Sequence, residues 1–193
     1  MMNLTKRFDL IEPKILDKKF RTNRGTANEV NFHIFDYDAE DEMAVRSHVE
    51  NLARSINGRR DDVKIVCFDL YKLMLDVLRG KNYLDKVKQM EQVKGSDAII
   101  NPIKRTLRLT ESGDLIIQKI VENLTPDRDI IFLTGVGKAW PIIRSHTILN
   151  NLHSKVEKNP LIMFFPGNYT TELRLFGEIT DDNYYRAFKL IER

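Results

Sequence analysis

The residues best suited to ligand chemistry form a glycine turn, Thr134 to Lys138, which reads T-G-V-G-K. The apolar run Ile130 to Leu133 precedes the turn, and a short apolar run bounded by glycine is typical of a buried strand. Pro141 follows, and apolar residues at helical spacing between Ile142 and Leu152 predict a helix. A strand, a glycine turn and a helix in this order can present backbone N–H groups and a positive helix end to a phosphate.

A P-loop requires G-x-x-x-x-G-K followed by Ser or Thr, whose hydroxyl reaches the metal. Gly137 and Lys138 fit this motif, but Phe132 stands at the first glycine position and Ala139 replaces the hydroxyl residue. The turn therefore keeps the order of a degraded P-loop without its metal chemistry. A phosphate or nucleotide bound without hydrolysis is one hypothesis, and its candidate ligand-binding residues are Thr134, Gly135, Gly137 and Lys138.

Acidic residues follow two apolar runs, Asp36 after the first and Asp69 after the second. In a parallel sheet both would lie at the carboxyl edge, where ligands bind. Helix capping is the competing interpretation and the one that we favour. No third ligand accompanies them, and His146 and His153 are two helical turns apart, about 10 Å. We predict no metal site.

Nucleophilic catalysis finds no support in the residue pattern. Ser145 and His146 are adjacent, which on a helix points their side chains about 100° apart. There is no G-x-S-x-G elbow, and Cys67 lies in an apolar run where a buried, inert thiol is expected. The sequence therefore predicts a protein that is not an enzyme and needs no cofactor.

The aromatic residues near the end of the chain provide a candidate partner surface. Tyr184 and Tyr185 are adjacent and cannot both face inward on one helix, and arginines accompany them. Exposed tyrosine beside arginine is the composition of interface hot spots. The candidate partner-binding residues are Arg174, Tyr184, Tyr185 and Arg186.

Length and charge limit the class of protein. A chain of 193 residues suits a single domain, residues 1–193, and no apolar stretch approaches the roughly 20 residues that span a bilayer. The net charge of +3 is too balanced to indicate nucleic acid by itself, although short basic clusters leave a weak or indirect DNA contact open. One cysteine and no signal-like segment predict a cytoplasmic protein. Self-association stays open.

Apolar runs alternate with amphipathic segments along the chain, which predicts an α/β fold: a mostly parallel central sheet of about five strands flanked by helices. A degraded P-loop or RecA-like three-layer sandwich is one form of this fold. Val63 to Phe68 has the near-continuous apolar character of a central strand. A turn is expected at Pro166 to Asn168, and a closing helix at Asn183 to Ile191 with Phe188 inward.

Several stretches taken together resemble one known family, the small BrxB-type proteins of BREX bacteriophage-exclusion systems. The resemblance spans nearly the whole chain. It is carried by Asn28 to Tyr37, Phe132 to Gly137, Pro141, Arg144 to His146, Ile148 to Leu152, Pro160 to Gly167, Leu173 to Gly177 and Asp182 to Phe188.

The resemblance implies a core component of a defence system that distinguishes self from phage DNA, with no settled enzymatic activity. It implies a large PglZ-type protein of the same system as the main partner. It supplies no catalytic residues. Three hypotheses follow: a non-enzymatic adaptor that binds the PglZ-type protein, a nucleotide or phosphate sensor at the Gly135–Lys138 turn, and a DNA-binding accessory.

Overall fold

The apolar runs form the strands of one central sheet in the computed structural model of the chain, which describes residues 2–22, 31–109, 113–180 and 187–193. The strands are β1 (Phe32–Tyr37), β2 (Lys64–Asp69), β3 (Asp129–Thr134), β4 (Leu161–Tyr169), β5 (Leu173–Leu175), β6 (Ile179–Thr180) and β7 (Phe188–Lys189). Five of them run parallel in the order β2-β3-β4-β1-β7. The short strands β5 and β6 add an antiparallel ribbon beyond the carboxyl end of β4.

The helices cover both faces of this sheet. They are α1 (Leu4–Leu16), α2 (Lys18–Thr22), α3 (Glu42–Arg59), α4 (Leu70–Gly80), α5 (Leu84–Lys94), α6 (Asp97–Leu107), α7 (Leu115–Val121), α8 (Val136–Ala139) and α9 (Ser145–His153). Among the described residues, no helix combines the length and the apolar character needed to cross a bilayer.

Alternating side chains divide the core into two layers because successive residues of a strand point to opposite faces. On β3, Ile131 and Leu133 pack with helices α4 to α9, whereas Ile130 and Phe132 pack with α1 to α3. Strand β4 alternates in the same way between Met163 and Phe164. The predicted α/β fold, with about five mostly parallel strands flanked by helices, is confirmed.

The predicted closing helix at Asn183 to Ile191 is wrong over its described part, residues 187–191. Phe188 and Lys189 form strand β7, which pairs with β1, and Phe188 is exposed rather than inward. A free strand edge gains a full set of backbone hydrogen bonds when another segment pairs with it, and this outweighs the local helical pattern. Residues 181–186 lie outside the described part of the chain.

Three other local predictions are wrong. The expected turn at Pro166 to Asn168 is instead the continuation of β4 to Tyr169, where Gly167 lets the backbone of Arg174 approach closely. The strand at Lys64–Asp69 lies at the edge of the sheet rather than its centre. Cys67, expected to be buried, is exposed there.

Buried His33 on β1 makes stability depend on pH. Its ring lies between Phe20 and Phe188, and Nε2 is 2.7 Å from Asn31 Oδ1. Burial, helped by Lys14, lowers the pKa of His33 from 6.5 to about 4. Between pH 6.5 and 4, His33 is therefore protonated in the unfolded chain but stays neutral in the folded chain. The free energy of unfolding falls by about 3 kcal/mol as the pH drops through this window.

We expect His33→Gln to flatten this part of the pH profile, because glutamine keeps a polar side chain but does not titrate. Denaturant unfolding of both chains at pH 7, 5.5 and 4.5 measures the difference. Exposed His153 provides the matched control, since His153→Gln should keep the wild-type slope. An unchanged slope in His33→Gln would show that other groups carry the dependence.

Candidate functional site

The glycine turn lies at the carboxyl end of β3, as the sequence predicts. Gly135 adopts φ 72° and opens α8, which is only four residues long. The chain then passes through Pro141, and α9 begins at Ser145. The predicted helix between Ile142 and Leu152 is present as α9, which begins three residues later than expected, and the short helix α8 before Pro141 was not predicted.

Lys138, the predicted phosphate contact, is paired with a carboxylate of its own chain. Its Nζ lies 2.5 Å from Asp69 Oδ2, at the end of the neighbouring strand β2. Asp69 Oδ1 also accepts a hydrogen bond from Lys72 N at 3.1 Å, so the predicted capping of α4 is confirmed. Partial burial would raise the pKa of Asp69, but the bonds from Lys138 and Lys72 outweigh it and lower the pKa.

Two close contacts further define the turn. A Cβ at Gly135 would collide with the Asp69 carboxylate, and a Cβ at Gly137 would lie 2.9 Å from the ring of Phe176. Half-buried Thr134 precedes them. The four candidate residues are thus together, but a phosphate that used Lys138 would first have to replace Asp69. Phosphate binding at the turn stays a prediction.

Three exposed aromatic side chains surround the turn, and we refer to Tyr71, Trp140 and Phe176 as the aromatic rim. Their exposed fractions are 36%, 41% and 42%. Lys138 Nζ lies 5.9 Å from the centre of the Tyr71 ring, and Phe176 covers Gly137. Sequence reasoning missed the rim, because its members come from three separate segments. The one available signal was Trp140, the single tryptophan of the chain, directly after α8.

Phe176 also has an uncommon backbone. Its φ of 56° lies in the left-handed region, which costs a bulky residue on the order of 1 kcal/mol or more. Its N–H donates to Pro166 O at 2.8 Å, and the contact of its ring with Gly137 holds it above the turn. A strained, half-exposed aromatic residue of this kind is typical of a functional surface.

Of the predicted partner-binding residues, only Arg174 lies in the described part of the chain; Tyr184, Tyr185 and Arg186 lie outside it. Arg174 is exposed on β5, and its Nη2 lies 3.9 Å from Glu172 Oε2. It stands two residues before Phe176 in sequence. The predicted partner surface and the aromatic rim are therefore linked through this ribbon.

Asp36 is not a helix cap, because a cationic cluster surrounds it. Arg7 Nη2 lies 3.0 Å from Oδ1, and Arg193 Nε lies 3.3 Å from Oδ2. Tyr169 N donates to Oδ2 at 3.1 Å. The carboxylate is 1% exposed and Arg7 is 3% exposed. Burial lowers the pKa of Arg7 against the raising effect of Asp36.

Asp36 and Asp69 cannot share a metal ion. Strands β3 and β4 lie between them, which separates the two carboxylates by roughly 14 Å at about 4.8 Å per strand. The described ranges contain no group of three His, Cys, Asp or Glu side chains that could hold a metal.

Only some of the basic residues on which a DNA contact would depend are held in ion pairs. These residues form four clusters, Lys6–Arg7, Lys18–Arg21, Arg59–Arg60 and Lys104–Arg108. Besides Arg7, three of their arginines form ion pairs: Arg59 with Glu12 at 2.8 Å, Arg60 with Asp62 at 2.7 Å, and Arg21 with Asp62 at 2.9 Å. These pairs offset the positive charge of the surface around α1 and α3. DNA contact stays a prediction.

The parallel sheet, the glycine turn at its carboxyl edge and the helices on both faces define a three-layer α/β protein. At the carboxyl edge of the sheet, Asp36 and Asp69 are held in internal ion pairs, and the aromatic rim lies beside the pair of Asp69 with Lys138.

The family model described as "BREX protein BrxB" matches residues 66–190. A protein of Bacillus cereus (strain H3081.97) named BREX protein BrxB is 53% identical to the chain, and the match covers 100% of both sequences. A protein of the same name from Escherichia coli O9:H4 (strain HS) is 32% identical over 96% of this chain and 90% of the relative. No solved structure gives a significant match.

The chain belongs to the BrxB family of BREX proteins. It is therefore a component of the BREX phage-exclusion system, and other BREX components are its partners. The family resemblance drawn from the sequence is confirmed.

Proposed function

We propose that this BREX component is a non-enzymatic adaptor, and that it binds the PglZ-type protein of the same system through the aromatic rim. The observation that carries the proposal is the exposure of Tyr71, Trp140 and Phe176 at one edge of the sheet. Tryptophan and tyrosine dominate interface hot spots, and Arg174 on the adjacent ribbon adds the other residue type enriched there.

The non-enzymatic part of the proposal is supported by the pairing of the charged groups. A general acid or base must be able to reach a substrate proton. Asp36 is enclosed by Arg7, Arg193 and the backbone, and Asp69 is bound by Lys138 and α4. Both carboxylates thus have structural partners, and using either in catalysis would require breaking a charge-assisted bond.

Co-expression tests the adaptor role directly. We expect the tagged chain to co-purify with the PglZ-type protein and to elute with it as one peak in size-exclusion chromatography. Failure to bind that protein, or any other component of the system, would contradict the adaptor role. Three variants then test the predicted partner-binding residues: Arg174→Glu, Tyr185→Asp and Arg186→Glu. Full binding by all three variants would show that these residues lie outside the interface.

The alternative, a nucleotide or phosphate sensor, predicts a ligand-dependent gain in stability. A ligand at 100 times its dissociation constant stabilises a protein by about 2.7 kcal/mol. We expect no shift of the melting temperature with ATP, GTP or cyclic nucleotides, with or without magnesium, because Lys138 is already neutralised by Asp69. A shift that disappears in Lys138→Met would establish the sensor instead.

The third hypothesis, a DNA-binding accessory, differs in its dependence on salt. Binding that depends on phosphate contacts weakens steeply as salt rises. The ion pairs of Arg21, Arg59 and Arg60 favour the adaptor over this role. DNA binding to the isolated chain that is measurable at low salt and lost at high salt would reverse that preference.

A further inference from the structure

A small cavity of about 100 Å³ lies at the start of α9, below the β5–β6 ribbon, and we refer to it as the α9 cavity. Most of its wall is apolar and includes Phe165 and Leu173. Trp140, which is 41% exposed, also lines it. Its polar lining comes from Arg144, Ser145 and Thr180. The cavity therefore combines an apolar body with hydrogen-bond donors at one end.

Ser145 is the buried polar residue in the wall of this cavity. It is 6% exposed and lines the α9 cavity. Its hydroxyl forms no hydrogen bond with any residue in the described ranges. The hydroxyl is therefore free to bond to a molecule inside the cavity, either water or the polar end of a ligand.

The surrounding charge indicates which kind of ligand. Ser145 is the first residue of α9, a helix of nine residues, and Arg144 at the N-cap position makes no side-chain cap. The positive end of the helix dipole therefore faces the cavity from the same side as the hydroxyl. The Arg144 guanidinium is exposed beside it and is not ion-paired with any residue that the structure describes. These groups together favour an oxyanion.

We infer that the α9 cavity binds a small carboxylate, with the anionic group at Ser145 and Arg144 and the carbon chain against the apolar wall. The cavity has a volume of about 100 Å³, which suits a short acid of a few carbon atoms. Within the described residues Arg144 is the one cation of the lining, so a phosphate would place a highly charged group against apolar side chains with too little positive charge to neutralise it. The inference does not depend on the proposed adaptor function, because the binding is a property of this chain alone.

Propionate is the direct probe. In ¹H–¹⁵N spectra at constant ionic strength, we expect saturable shifts of the amides of residues 145–147, with a dissociation constant on the order of 1 mM. Ser145→Ala should weaken binding about tenfold, the effect of losing one hydrogen bond to a charged group. Arg144→Gln should weaken it severalfold. Arg54→Gln, which changes an exposed arginine on α3 outside the cavity lining, is the matched control and should bind as the wild type does.

Propanamide and phosphate test the site on the wild-type chain, without any variant. Propanamide has the same size without the charge, so equal binding of propanamide would overturn the anion site. Tighter binding of phosphate than of propionate would overturn the carboxylate class. No saturable shift with propionate would remove the site altogether.

A second ligand shows whether the carboxylate is a free acid or belongs to a protein side chain. This ligand is glutamate with its amino and α-carboxyl groups blocked, so that its one charged group is the propionate-like side chain. If blocked glutamate binds as propionate does, the cavity takes an acidic side chain of a protein. Binding of propionate alone assigns it to a free short-chain acid. Both outcomes support the carboxylate class.

Discussion

Replacing Asp36 by alanine is expected to lower the free energy of unfolding by about 3–5 kcal/mol, the effect of removing one member of a buried ion pair. Arg7 would remain almost fully buried without its carboxylate, and Arg193 and Tyr169 N would lose the same acceptor. Asp36 joins the first helix, the end of β4 and the last residue of the chain. Its loss should therefore loosen both chain ends from the sheet.

Urea denaturation followed by circular dichroism measures this effect. Glu12→Ala is the matched control, because Glu12 lies on the same helix as Arg7 but pairs with Arg59 near the surface, where an ion pair contributes less than about 1 kcal/mol. A double-mutant cycle of Arg7→Ala and Asp36→Ala should give a large coupling energy. A loss below 1 kcal/mol in Asp36→Ala would show that water or other groups compensate for the missing carboxylate.

The strands and most helices could be predicted because their signals are local. Strand β3 is a continuous apolar run that ends at a glycine turn. Asp69 caps α4 by accepting a hydrogen bond from Lys72 N, three residues further along the chain. Such patterns depend on neighbours within one or two turns, so the sequence displays them directly.

Features that depend on distant pairing could not be predicted. Strand β7 exists because β1 has a free edge, not because of any β pattern in its own residues. The partners of Asp36 are 29 and 133 residues away at Arg7 and Tyr169, so the sequence position suggests a cap or a metal ligand rather than a buried ion pair. The pair between Lys138 and Asp69 spans 69 residues in the same way.

The aromatic rim could not be predicted for two reasons: its residues come from distant segments, and the local pattern around Trp140 gives no signal. An exposed tryptophan cannot be distinguished from a buried one by local pattern, because the helix that precedes Trp140 is only four residues long and gives no amphipathic period. The sequence instead directed attention to Tyr184, Tyr185 and Arg186. The rim adds a second surface beside Arg174, and the two surfaces can be tested separately.

Trp140→Ala and Phe176→Ala are each expected to weaken binding of the PglZ-type protein by at least 30-fold, which corresponds to about 2 kcal/mol, the threshold of a hot spot. Both rings are exposed by about two-fifths in the free chain, so their truncation removes contact area without opening a large internal void. Bio-layer interferometry with the purified partner measures the affinity, and the effect should be mainly in the dissociation rate.

Phe176→Gly separates the effect on binding from the effect on folding. Glycine adopts φ 56° without strain, so this substitution should preserve stability better than Phe176→Ala while losing the same ring from the interface. Val93→Ala and Met43→Ala are the matched controls, because these apolar side chains are 81% and 65% exposed, on α5 and α3. We expect both controls to bind as the wild type does. Equal losses in the rim variants and in these controls would place the interface elsewhere, because the rim would then contribute no more than any exposed apolar side chain.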